Sequence, residues 1–144
     1  MTVTPATDSF VIERLLPHSP EKIWRALTQT ALLDEWLLKS DFQPIEGHRF
    51  HFHAPPNPHW DGLIDGEVLS VEPLERLIYS WNTAAGGLQT VVSWTLRSVH
   101  EGTVVRMEQS GFKPNQSRAY HGARAGWKQF LDNLAHTVLE QSLS

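Results

Sequence analysis

The chain has no cysteine. That absence removes disulfides, thiol nucleophiles and cysteine-ligated zinc together, and it fits a reducing compartment. No apolar run approaches the ~20 residues that cross a bilayer, so membrane insertion is not expected. The first ten residues, MTVTPATDSF, lack the basic segment and apolar stretch of a secretory signal, and a cytoplasmic location is the default expectation. There is no basic block, and the formal net charge is −4, which argues against nucleic acid or an anionic membrane surface as partner. No G-x-S-x-G elbow occurs, and Ser93 and Ser110 sit on strand patterns with no evident base. The AAGG of residues 84–87 follows one strand pattern and precedes another, not a helix, so no phosphate- or dinucleotide-binding loop is indicated.

What the chain has in quantity is aromatic surface: six Trp and six Phe in 144 residues. That length suits a single domain, residues 1–144 with a core of about 9–141, large enough to bury a core without staples. SFVIERLLP alternates as a strand. SPEKIWRALT reads as a helix start, with Ser19 as cap, Pro20 in the first turn and Glu21 near the positive end. TALLDEWLL offers a second short helix. From Gly47 the period changes to two: Phe50 and Phe52 face one way, and Arg49, His51 and His53 the other. Four further strand patterns follow. The first offers two competing apolar faces, Ile64 with Val68 or Leu69 with Val71; the others align Leu77 with Tyr79 and Trp81, Val92 with Trp94 and Leu96, and Val105 with Met107 and Gln109. Residues 117–141 carry one helical stripe, Trp127, Leu131, Leu134 and Val138. Ala123 and Gly126 near its start are small, so the helix there either approaches a sheet closely or leaves a space beside it. Consecutive strands with short turns pair antiparallel, and the long helix is the one large element able to cover their apolar face.

In this order SPEKIWRALT, LLDEW, EGHRF, GEVLSVEPLERLIYSW, VVSWTL, GTVVRMEQSGF and GWKQFLDNL resemble the activator of heat-shock-protein-90 ATPase homologue family, within the START/Bet v 1-like (SRPBCC) superfamily. The resemblance runs from about Ser9 to Val138. It implies an α+β helix-grip fold: a curved antiparallel sheet of seven or slightly fewer strands around a long C-terminal helix, enclosing an apolar cavity. Members bind lipids, sterols, polyketides and plant phenolics there, and a minority catalyse cyclisation or related steps. The eukaryotic co-chaperone carries an additional N-terminal domain with no counterpart in these residues, so a chaperone contact is the weaker expectation. A homodimer is compatible with the sequence.

The residues EGHRFHFHAPPNPHW hold His48, His51, His53 and His59. Zinc needs three or four ligands converging at about 2.0–2.1 Å. Strand alternation sends His48 to the face opposite His51 and His53, and His59 lies beyond a proline-rich loop, so no metal site is expected. Asp65 and Glu67 are also two apart and would form an acid–base pair if they faced inward. Their parity depends on whether Gly66 marks a bulge. Glu67 is the stronger acid candidate and Asp61, in the loop, the weaker. The aromatic faces carry the main expectation. Phe50, Phe52, Trp81, Trp94, Met107, Trp127 and Leu131 should wall a ligand cavity or share in the core, with Tyr79 and Gln109 orienting the ligand by hydroxyl and amide. Binding of a small hydrophobic ligand is the expected function, with no cofactor. A cyclase or hydrolase using the same cavity is the alternative.

Overall fold

A computed structural model describes residues 8–56, 58, 61–83 and 87–139. Strand β1 (Ser9–Leu16) leads into helices α1 (Pro20–Thr28) and α2 (Thr30–Trp36). The start of α1 follows from its first residues. Ser19 accepts the Lys22 N–H at 3.2 Å, Pro20 needs no backbone donor there, and Glu21 sits in the first turn. Trp36 locks the two helices together. Its indole N–H donates to the Ala26 carbonyl at 2.8 Å, and the side chain is buried.

The sheet strands are β2 (Lys39–Ser40), β3 (Arg49–His53), β4 (Leu63–Glu72), β5 (Arg76–Thr83), β6 (Leu88–Val99) and β7 (Gly102–Ser110). Helix α3 (Ser117–Asn133) follows a 3-10 turn at Pro114–Gln116 and continues as a π-helical turn, Leu134–Leu139. Strand β2 is too short to leave a period in the sequence. The terminal helix, predicted to run to residue 141, keeps α geometry only to Asn133. The side chain of Val138 lies outside the described residues.

All pairings are antiparallel, and the seven strands run in the order β1-β7-β6-β5-β4-β3-β2. The sheet curls as a half-barrel with α3 on its concave side, which is the helix-grip arrangement. Register stacks the inward residues in tiers: Leu77, Trp94 and Met107 in one, Tyr79, Val92 and Gln109 in the next, Trp81 and Thr90 in the third. Alternation therefore builds the concave face from β5, β6 and β7, as the sequence pattern predicts.

Strand β4 is the irregular one. Its register against β5 shifts between Val68 and Ser70, not at Gly66. Before the shift Ile64 and Val68 point inward. Beyond it, Val71 packs against the core. Gly66 instead permits a close approach, since a Cβ there would collide with the Ser80 carbonyl and the Phe50 ring. No described helix is long and apolar enough to cross a membrane.

Candidate functional site

The space between sheet and helix is filled at one end and open at the other. At the filled end, Phe42 lies 5.0 Å from Phe50 and 5.6 Å from Tyr79, ring centre to ring centre. Trp94 packs edge-on against Trp36 at 6.0 Å and Trp127 at 5.6 Å. Such edge-to-face contacts are favourable beyond the area they bury. Phe50, Phe52, Tyr79, Trp94, Met107 and Leu131, all predicted to touch ligand, belong to this packed region and are fully buried. The Tyr79 hydroxyl accepts the Trp94 indole N–H at 3.0 Å. Burial pushes the Tyr79 phenol well above its ordinary pKa, against a smaller opposing effect of that hydrogen bond. The tyrosine stays neutral, and its oxygen is engaged by protein.

At the open end lies an apolar cavity of about 370 Å³. Its sheet wall is Ile64, Trp81, Thr83 and Leu88, with Leu38 and Ala54 closing one side. Its helix wall is Ala119, Gly122, Ala123, Gly126, Trp127 and Phe130 of α3. The spacing i, i+3, i+4, i+7 of the small residues puts them on one helical face. Of the two alternatives for this stripe, the space is the one realised: a Cβ at Gly122 or Gly126 would meet nothing within 4 Å. Ala119 and Gly122 are exposed and mark the mouth. At the inner end Trp81 and Trp127 stand 5.0 Å apart with their planes at 55°. Of the predicted ligand contacts, these two tryptophans are the ones that line the cavity. Ile64, Thr83, Leu88 and Phe130 also line it, as do Leu38, Ala54, Ala119 and Gly122; no local pattern separates a residue beside a space from one inside a core.

Gln109, predicted to orient a ligand, is fully buried behind the two tryptophans. Its carbonyl oxygen accepts the Trp127 indole N–H at 2.9 Å, and its amide nitrogen donates to the Thr90 hydroxyl at 2.9 Å. Thr90 in turn donates to the Trp81 carbonyl at 2.6 Å. The amide is thus satisfied inside the protein and does not reach the cavity.

The predicted acid candidates lie on the outer face. Glu67 stands opposite Arg49, with 3.9 Å between their charged groups, and its backbone N–H donates to Ser80. Asp65 stands opposite His51, and Asp61 accepts the Leu63 N–H as a turn residue. Because the register shift falls after Val68, neither Asp65 nor Glu67 changes face. His51 and His53 are exposed, as alternation predicts, with ring centres 6.2 Å apart. The His51 backbone N–H donates to the Asp41 carboxylate at 2.7 Å and holds that carboxyl below its ordinary range. Among the described residues no group of three or more His, Asp or Glu is placed to hold a metal. His59 lies outside the described residues.

Fold and cavity together define a helix-grip domain of the SRPBCC, Bet v 1-like type, a class of typically ligand-binding domains. Residues 17–139 match the model of the "Activator of Hsp90 ATPase homolog 1-like protein" family, and the chain belongs to that family. Protein MLL2253 of Mesorhizobium loti is 49% identical in its solved structure, with a TM-score of 0.87 over 93% of this chain and 98% of that one. A Rhodobacter sphaeroides protein is 25% identical, with a TM-score of 0.74 over 96% and 95% of the two chains. Protein BH1534 of Bacillus halodurans shares the fold at 22% identity, with a TM-score of 0.78 over 96% and 99%. Among curated proteins none matches the chain.

Proposed function

We propose that the chain binds a small, uncharged, hydrophobic molecule, aromatic or polyketide- or lipid-like in its bulk, in the cavity between β4–β6 and α3. The observation that carries this reading is the pair Gly122 and Gly126. Glycine inside a helix costs about 0.5–1 kcal/mol relative to alanine. At both positions a Cβ would meet open space, so no close contact demands the glycine. What the two glycines keep is room, and the room opens to solvent between apolar side chains. A hydrophobic ligand takes that apolar surface out of contact with water.

The lining also restricts the ligand's charge. Among the described residues it holds no ionisable side chain, and its one side-chain hydroxyl is Thr83. Taking an unpaired carboxylate or ammonium into such a site costs several kcal/mol, so the buried part of the ligand is neutral. The same lack of an acid, base or strong nucleophile favours binding over catalysis.

Titration with N-phenyl-1-naphthylamine, a neutral fluorescent arene, tests the reading. The wild-type chain should give a saturable rise in emission. Gly126→Leu, which projects a side chain into the cavity, should abolish the rise while retaining native circular dichroism. If neutral arenes and neutral lipids all fail to saturate the wild-type chain, ligand binding at this site is wrong.

A further inference from the structure

The two tryptophans at the inner end of the cavity are joined by one hydrogen-bonded chain, and its direction follows from chemistry. An indole N–H donates and cannot accept. Trp127 must therefore meet the carbonyl oxygen of Gln109, and this turns the Gln109 amide nitrogen toward Thr90. The Thr90 oxygen accepts that N–H and sends its own proton to the Trp81 carbonyl. The distances, 2.9, 2.9 and 2.6 Å, are those of well-formed hydrogen bonds at all three links. Gln109 is fully buried and Thr90 and Trp127 are 2% exposed, so water does not compete for them. The chain begins at the indole of the helix wall and ends on the backbone of the residue whose indole forms the sheet wall. It crosses α3, β7, β6 and β5.

We infer that Gln109 and Thr90 are positioning residues that hold the Trp81–Trp127 wedge at a fixed angle, and that this wedge makes the cavity selective for rigid, flat, neutral arenes over flexible alkyl chains. The inference rests on the ligand-binding reading above. A rotatable indole adapts to either shape. One held at its N–H, with its neighbour's backbone held by the same chain, presents a preformed surface and spares a flat ligand the cost of ordering it. A flexible chain gains less, because it loses its own rotamer freedom on entering.

The test compares N-phenyl-1-naphthylamine, measured directly, with 1-octanol, measured by its displacement of that probe. The proteins are the full wild-type chain, Gln109→Met, Thr90→Val and Thr90→Ser. Gln109→Met and Thr90→Val keep the bulk but break the chain, and each should weaken the arene roughly tenfold while changing octanol less than about twofold. Thr90→Ser restores the hydroxyl and should recover the wild-type preference. In ¹H–¹⁵N spectra the Trp127 indole resonance, assigned through Trp127→Phe, should shift and lose exchange protection in Gln109→Met. An unchanged arene-to-octanol preference in both chain-breaking variants overturns the inference, and so does an unchanged Trp127 resonance. If the wild-type chain binds neither probe, the ligand reading falls and takes the selectivity with it. The indole spectrum still decides whether Gln109 positions Trp127.

Discussion

An indole can donate one hydrogen bond and accept none, and that asymmetry governs the buried polar pairs of this molecule. Trp94 takes the oxygen of Tyr79, and Trp127 takes the oxygen of Gln109. Removing the Tyr79 hydroxyl leaves a buried donor unsatisfied, so Tyr79→Phe should lower stability by about 1–3 kcal/mol in urea unfolding at neutral pH. The deficit should depend on pH in a definite direction. The Tyr79 phenol ionises at higher pH in the native chain than in the unfolded one. Its contribution is therefore complete below the unfolded pKa of about 10 and declines as pH rises past that value. Phenylalanine cannot ionise, so the gap between wild type and variant should narrow from about pH 9 to about pH 11. A gap of constant size would mean that burial does not raise the pKa of the phenol.

At the scale of elements, α3 and β4 hold glycines of opposite meaning. In α3, alanine at position 126 gains helix propensity and meets nothing. Gly126→Ala should stabilise the fold by about 0.5–1 kcal/mol, read as a higher urea midpoint. In β4, Gly66 lies under the Phe50 ring and against the Ser80 carbonyl. Gly66→Ala must push the two strands apart and should cost more than about 1 kcal/mol, read as a lower midpoint. Equal effects at the two positions would mean that backbone entropy alone governs both. The same contrast explains why glycine was ambiguous in the sequence. A glycine that makes room and one that permits contact look alike until the facing element is in place.

At the scale of the molecule, the cavity and the core share one wall, and substitutions there report on different things. Trp127→Ala removes a large buried ring and leaves Gln109 without its donor. It should lower stability by about 3–5 kcal/mol, and a loss of binding in that variant would not identify the ligand's contacts. Gly126→Leu is the cleaner probe. At roughly one hundred times its Kd, a ligand of the native state stabilises it by about 2.7 kcal/mol. N-phenyl-1-naphthylamine should therefore raise the melting temperature of the wild-type chain by several degrees, and that of Gly126→Leu by none. A shift of equal size in both would place the ligand outside the cavity.

On β3, β5, β6 and β7 strand alternation alone sets which side chains turn inward. A period of two admits one buried set per strand, and that placed Phe50 and Phe52 inside and His51 and His53 outside. The sequence by itself also determined the start of α1, through Ser19 and Pro20, and the buried stripe of α3. Tertiary structure decided which inward residues border a space, because that depends on how far α3 stands from β5 and β6. It decided the outer placement of Asp65 and Glu67, since the shift after Val68 arises in pairing with β5 and has no mark within β4. It also decided the role of Gln109, whose partners Thr90 and Trp127 lie 19 and 18 residues away. Alternation is a local property of the backbone, whereas cavities and buried hydrogen bonds are made between elements and exist only once those elements have met.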